Sequence, residues 1–151
     1  MMGRYSYTKA MAKLVKWAER LGYTINFDKG NSQIWVDERY REIWIEGNYP
    51  IEIRFYTLLH ELGHHQIRKD WKKFKKAMPI LAHAEYLHFY KNTNKYKRRL
   101  TYSVFCLEEE FKAWEEGKKL ADKLGLRVNQ SNWDKLKSEC LMTYIRKYGK
   151  K

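Results

Sequence analysis

The chain has 151 residues, 44% of them apolar and 16% aromatic, and carries a net charge of +13. This is enough apolar material for one domain with one core; it excludes an intrinsically disordered chain, and the two cysteines, Cys106 and Cys140, are too few for a disulfide framework or a cysteine-rich zinc finger. No run approaches the roughly 18 apolar residues of a membrane span and the N-terminus shows no apolar segment with a cleavage site, so a soluble, cytoplasmic, reduced protein with no membrane partner is expected.

Tyr7, Met11, Leu14, Ala18 and Leu21 recur at helical spacing, with Lys9, Lys13, Lys16 and Arg20 opposite. This predicts an amphipathic helix over residues 4–21, closed by Gly22, whose apolar face belongs to the core. Residues 23–27 alternate as a half-buried strand does. A turn at 28–31 leads to a second strand at 33–37, and a turn at 37–40 leads to a third at Glu42–Glu46. The short loops predict an antiparallel meander. It breaks at Gly47 to Pro50, with Pro50 suited to the first turn of a following helix.

That helix is expected over Ile51–Arg68, with Ile51, Phe55, Leu58, Leu59 and Leu62 as its core stripe and a cleft-lining face beside it. It contains His60-Glu61-Leu62-Gly63-His64, of the form H-E-x-x-H. Residues four apart share a helix face, so both imidazoles can meet one zinc ion. Glu61 can lean toward a water on that ion and act as general base. Gly63 lowers helix propensity by about 1 kcal/mol relative to Ala. Close approach of a neighbouring backbone is a packing reason to accept it.

Residues 69–96 are strongly basic. A short helix starts at Asp70-Trp71-Lys72, Pro79 interrupts it, residues 80–90 form a second short helix, and 91–94 read as a loop tip. A long helix follows over 97–124, capped by Gly125, with Leu100, Val104, Leu107, Phe111, Trp114, Ala121 and Leu124 as its stripe. It carries Glu108-Glu109-Glu110. Glu110 shares a helical angle with Cys106, Leu107, Ala113 and Trp114, and a carboxylate set among them needs a partner such as a metal. The last helix is expected from Ser131, paired with Asp134 as in a capping box, and turns Trp133, Leu136, Cys140, Leu141, Tyr144 and Ile145 inward.

A catalytic zinc takes three protein ligands and leaves one position open for water. Glu110 is the best-placed third ligand; Glu109, His83, His88 and Asp70 are the alternatives. Asp70 lies six residues past His64, but Ile67 stands where such a turn needs glycine. The H-E-x-x-H helix together with Glu110-Phe111-Lys112-Ala113-Trp114 resembles the compact zinc metallopeptidases of the gluzincin group, especially ImmA/IrrE-like domains, over residues 4–124. The resemblance implies an α+β, zincin-like fold: N-terminal helix, small three-stranded antiparallel sheet, active-site helix, glutamate-bearing helix, then the C-terminal helix. It also implies Glu110 as ligand, in an E-x-x-A pattern. The chain departs from that pattern at Trp114, where Asn or Asp is frequent, and in the basic insert at 69–96. SprT-like DNA-associated proteases are a weaker resemblance, since their H-G-x-x-F/W pattern is missing.

The function expected is therefore a zinc-dependent endopeptidase with one Zn²⁺, acting on a peptide or protein. Its chemistry requires an oxyanion donor, for which Tyr102, His65, His83 and His88 are candidates. The third strand, Glu42, Ile43, Trp44, Ile45 and Glu46, is the expected sheet edge for laying down substrate, with Trp44 and Tyr40 lining the groove. Basic clusters at 72–76, 95–99 and 146–151 create a field that attracts nucleic acid or acidic protein. The competing class is accordingly a basic nucleic-acid-binding or nucleoprotein-associated module on the same scaffold, with zinc structural or activity lost.

Overall fold

The computed structural model describes residues 5–28 and 41–150, and the backbone of 35–37. The turns expected at 29–31 and 38–40, the start of the second strand at Gln33 and Ile34, and Tyr40 lie outside the described residues. The fold is α+β and mostly helical. Helix α1 (Tyr7–Arg20) starts where the Ser6 side chain accepts a hydrogen bond from the Lys9 amide at 3.3 Å, and buries Ala10, Met11, Leu14 and Ala18. It ends at Gly22, whose φ of 90° belongs to the left-handed region that glycine enters freely.

The strands are β1 (Thr24–Asp28), β2 (Trp35–Asp37) and β3 (Glu42–Glu46), in the order β1-β3-β2. The antiparallel meander is corrected here. β3 runs parallel to β1, with Thr24 opposite Glu42 and Asp28 opposite Glu46, and antiparallel to β2. Arg41 explains the arrangement. Its carbonyl accepts from the Thr24 amide at 2.8 Å, its guanidinium donates to the Leu21 carbonyl at 2.7 Å, and it lies over the Tyr23 ring. The start of β3 is thus fastened to the start of β1, and only a parallel pairing satisfies both. Ile43 and Ile45 are fully buried, which suits a central strand. β3 is therefore not the free edge on which a substrate was expected to lie. Glu42 to Trp44 are paired on both sides.

Helix α2 (Ile51–Arg68) keeps its expected bounds, yet it is enclosed more fully than one apolar stripe implies: every residue from Phe55 to Gly63 is buried. It crosses α5 (Leu100–Lys123) at a contact between backbones. A Cβ on Gly63 would overlap the Ala113 carbonyl oxygen, and one on Gly117 would come within 2.5 Å of the Leu59 carbonyl oxygen. This contact sets which face of α5 turns inward, and the expected stripe is corrected in part: Trp114 and Ala121 are buried as expected. Leu100, Val104 and Phe111 are exposed, whereas Ser103, Glu109, Ala113, Trp114, Gly117, Leu120 and Ala121 are buried. Close helix packing selects small residues, which hydrophobicity does not flag.

Between them lie α3 (Trp71–Ala77), α4 (Pro79–Lys91) and a 3-10 turn at Lys95–Arg98. Phe74, Met78, Leu81 and Ala82 form a second apolar cluster with Ile67, Tyr102, Phe105 and Cys106. Helix α6 (Gln130–Gly149) begins one residue before the expected Ser131, because Asn129 is its cap and accepts from the Asn132 amide at 3.0 Å. Glu52 anchors α6 to the main core: its Oε1 accepts from Tyr56 at 2.7 Å, Asn132 at 2.9 Å and Tyr7 at 3.1 Å. Among the described residues, no helix is long and apolar enough to cross a membrane.

Candidate metal centre

Consecutive turns of α2 place His60 and His64 on one face, and the α2–α5 crossing brings Glu110 against both. His60 Nε2 lies 3.0 Å from Glu110 Oε2, and His64 Nε2 lies 3.2 Å from Glu110 Oε1. One ligand atom from each of the three residues falls within 4.8 Å of the others, so the group can hold a metal ion. Two ligands about 2.0–2.1 Å from a tetrahedral zinc stand about 3.4 Å apart, close to these separations. Glu110 Oε2 is buried without a hydrogen-bond partner despite its nearness to His60. Both imidazoles thus face the one carboxylate, and two imidazoles with one carboxylate suit a divalent ion.

Glu109, the neighbouring carboxylate, plays a different part. Its Oε2 lies 3.3 Å from His64 Nδ1, the ring nitrogen that faces away from Glu110. Arg68 grips it with both arms, at 2.6 and 2.7 Å, and also pairs with Glu85. A carboxylate behind a ligating histidine fixes its tautomer and ring orientation. Burial alone would raise the Glu109 carboxyl; bonds from Arg68 and His64 outweigh it and hold it down at about 2. Burial likewise opposes a charge on His64, but Glu109 and Glu110 together raise it well above an ordinary histidine. The cluster thus favours positive charge at its centre.

His60 is held by packing instead. Its ring stacks on Trp114 at 4.3 Å and 21°, and Trp133 meets Trp114 edge-on at 5.0 Å. His60 Nδ1 has no hydrogen-bond partner among the described residues. Trp114 thus orients the His60 ring by an aromatic stack.

Glu61 is buried beside the cluster, 3.8 Å from His60 Nε2. Burial raises its carboxyl, the two histidines lower it, and Glu110 and Glu109 raise it, with a net upward shift. Tyr144 of α6 completes the surroundings. It hydrogen-bonds Glu110, and burial together with the charges of Glu110 and Glu61 keeps its phenol protonated. Neither Tyr144 nor Arg68 was singled out in the sequence as part of the site. Tyr144 read as an inward apolar position; the signal available was its hydroxyl, which needs a partner when buried.

The other sequence candidates fall elsewhere. Asp70 is exposed and caps α3, accepting from the Lys73 amide at 3.1 Å. His83 is exposed beside Tyr86 and Tyr96, and His88 bonds Asn94 at 2.8 Å. His65 Nδ1 is 2.9 Å from the Tyr23 hydroxyl, toward β1. Tyr102 bonds Cys106 in the second apolar cluster. None of them joins the metal-holding group, which is His60, His64 and Glu110. Comparison of the chain with protein-family models, curated proteins and solved structures finds no match.

Proposed function

We propose that the protein is a zinc-dependent peptidase of zincin-like fold in which His60, His64 and Glu110 hold one zinc ion. The observation that carries the reading is the convergence of these three residues with a buried carboxylate, Glu61, at their side. A structural zinc takes four protein ligands, whereas three leave a position for water; the described residues gather three. This favours a catalytic ion over the structural zinc of a pure binding module.

Held by His60, His64 and Glu110, zinc would supply Lewis acidity to the scissile carbonyl and to the water that attacks it. Glu61 accepts a proton from that water at its carboxylate and passes it to the leaving amide nitrogen. Tyr144 keeps its proton and donates a hydrogen bond toward charge that develops on the carbonyl oxygen. Arg68 and Glu109 fix the His64 ring, and Trp114 fixes His60. Free Cys106 and Cys140 fit the reducing cytoplasm.

Glu61→Gln tests the reading, with hydrolysis of a mixed peptide library followed by mass spectrometry. The expected result is cleavage by the zinc-loaded protein and none by the variant, at equal zinc content and unchanged circular dichroism. Cleavage that persists in Glu61→Gln overturns it.

A further inference from the structure

Helices α3 and α4 frame a cavity of about 800 Å³ well stocked with aromatic side chains, among them Trp71, Tyr86, Phe89 and Tyr90. Large aromatic groups normally seek the core, yet Trp71 is 42%, Phe89 45%, Tyr86 48% and Tyr90 77% exposed. They are grouped: Tyr86 and Tyr90 lie 5.3 Å apart, and His83 stacks near Tyr86. The same stretch is the electrostatic centre of the chain. Residues 69–99 hold ten Lys or Arg against Asp70 and Glu85, so they account for +8 of the total +13.

Exposed rings alone could receive many apolar groups. Lys75 stands on the cavity wall and Lys72 and Lys76 are exposed on the same helix, so the rings and this basic stretch together select a ligand that is both polyanionic and flat-faced. Nucleic acid in single strands offers both, phosphates for the cations and unstacked bases for the rings. A duplex keeps its base faces stacked against one another, and an acidic polypeptide offers charge without them. We propose that the α3–α4 hairpin is a binding platform for single-stranded nucleic acid, with bases stacked on Trp71, Tyr86, Phe89 and Tyr90 and phosphates held by Lys75 on the cavity wall and by the exposed Lys72 and Lys76 of the same helix.

This platform is independent of peptidase chemistry, and the two can fail separately. Glu85, on the cavity wall, also pairs with Arg68 behind the metal centre, so the test leaves it in place. Fluorescence anisotropy is followed on labelled oligo(dT) and oligo(rU) of about 20 nucleotides, on a duplex of equal length, and with polyglutamate as competitor. Both single strands are expected to bind more tightly than the duplex at equal salt. Trp71→Ala and Tyr86→Ala should each weaken binding about tenfold with the salt slope unchanged. Lys75→Gln and Lys76→Gln should each reduce that slope by about 0.7. Tyr90→Ala, at the most exposed of the rings, gives the same reading should Trp71→Ala loosen α3. Circular dichroism and zinc content serve as controls. Equal binding of duplex with no effect of the aromatic variants, displacement by polyglutamate at matched charge, or no binding at about 50 mM salt each overturns the proposal.

Discussion

Glu109 and Glu110 are chemically identical neighbours with different tasks, because one step along a helix turns a side chain by about 100°. Glu110 meets both imidazoles, and Glu109 is left behind His64 in the grip of Arg68. The His60–Glu61–His64 cluster was legible from spacing alone. The helical angle that Glu110 shares with Cys106, Leu107, Ala113 and Trp114 also favoured it over Glu109, and the metal-capable group contains Glu110; what spacing left out is the part of Glu109, whose partner Arg68 lies on another helix. The carboxyl of Glu109 sits at about 2 rather than 4.5, so its contribution to stability is fully present above pH 4.5 and is lost as pH falls toward 2. Urea denaturation of the metal-free protein at stepped pH should show that loss, and Glu109→Gln should remove this share of it. An unchanged pH profile in the variant would show that the Arg68–Glu109 pair does not act this way.

At the scale of elements, the site depends on how closely α2 and α5 approach. Gly63 and Gly117 each face backbone of the other helix, so a methyl group at either position has no flexible neighbour to displace. Gly63→Ala is expected to destabilise the fold by at least about 2 kcal/mol despite its better helix propensity, as overpacked cores do. Gly117→Ala should behave likewise, read from the shift in urea midpoint. Stability equal to or above wild type in both variants would contradict the close crossing. Gly63 was marked by its poor fit to a helix, and that clue was sound. The face of α5 was judged in part: Trp114 and Ala121 are buried as expected, but Leu100, Val104 and Phe111 carry hydrophobicity and are exposed, while Ala113 and Gly117 make the contact with α2. Strand order was hidden for a related reason. Alternation reveals that 23–27 and 42–46 are strands, but the pairing is set by Arg41 reaching back to Leu21 and Tyr23.

Across the whole molecule, three helices meet at one point. α2 brings two histidines and the buried Glu61, α5 brings Glu110, and α6 brings Tyr144, held in place by the Glu52 cluster at its start. Residues 69–99, the α3–α4 hairpin with the 3-10 turn after it, carry +8 of the net +13. An ion held by His60, His64 and Glu110 would tie α2 to α5, so binding should raise thermal stability as well as fill the site. The most direct measurement is zinc content and melting temperature of the purified chain after chelation and reloading, beside Glu110→Ala and Glu109→Gln. The expected result is one zinc per wild-type chain with a raised melting temperature, no stoichiometric zinc in Glu110→Ala, and zinc held about 10- to 100-fold more weakly in Glu109→Gln. Wild-type protein that takes up no stoichiometric zinc, or Glu110→Ala that takes up as much as wild type, would contradict the metal centre.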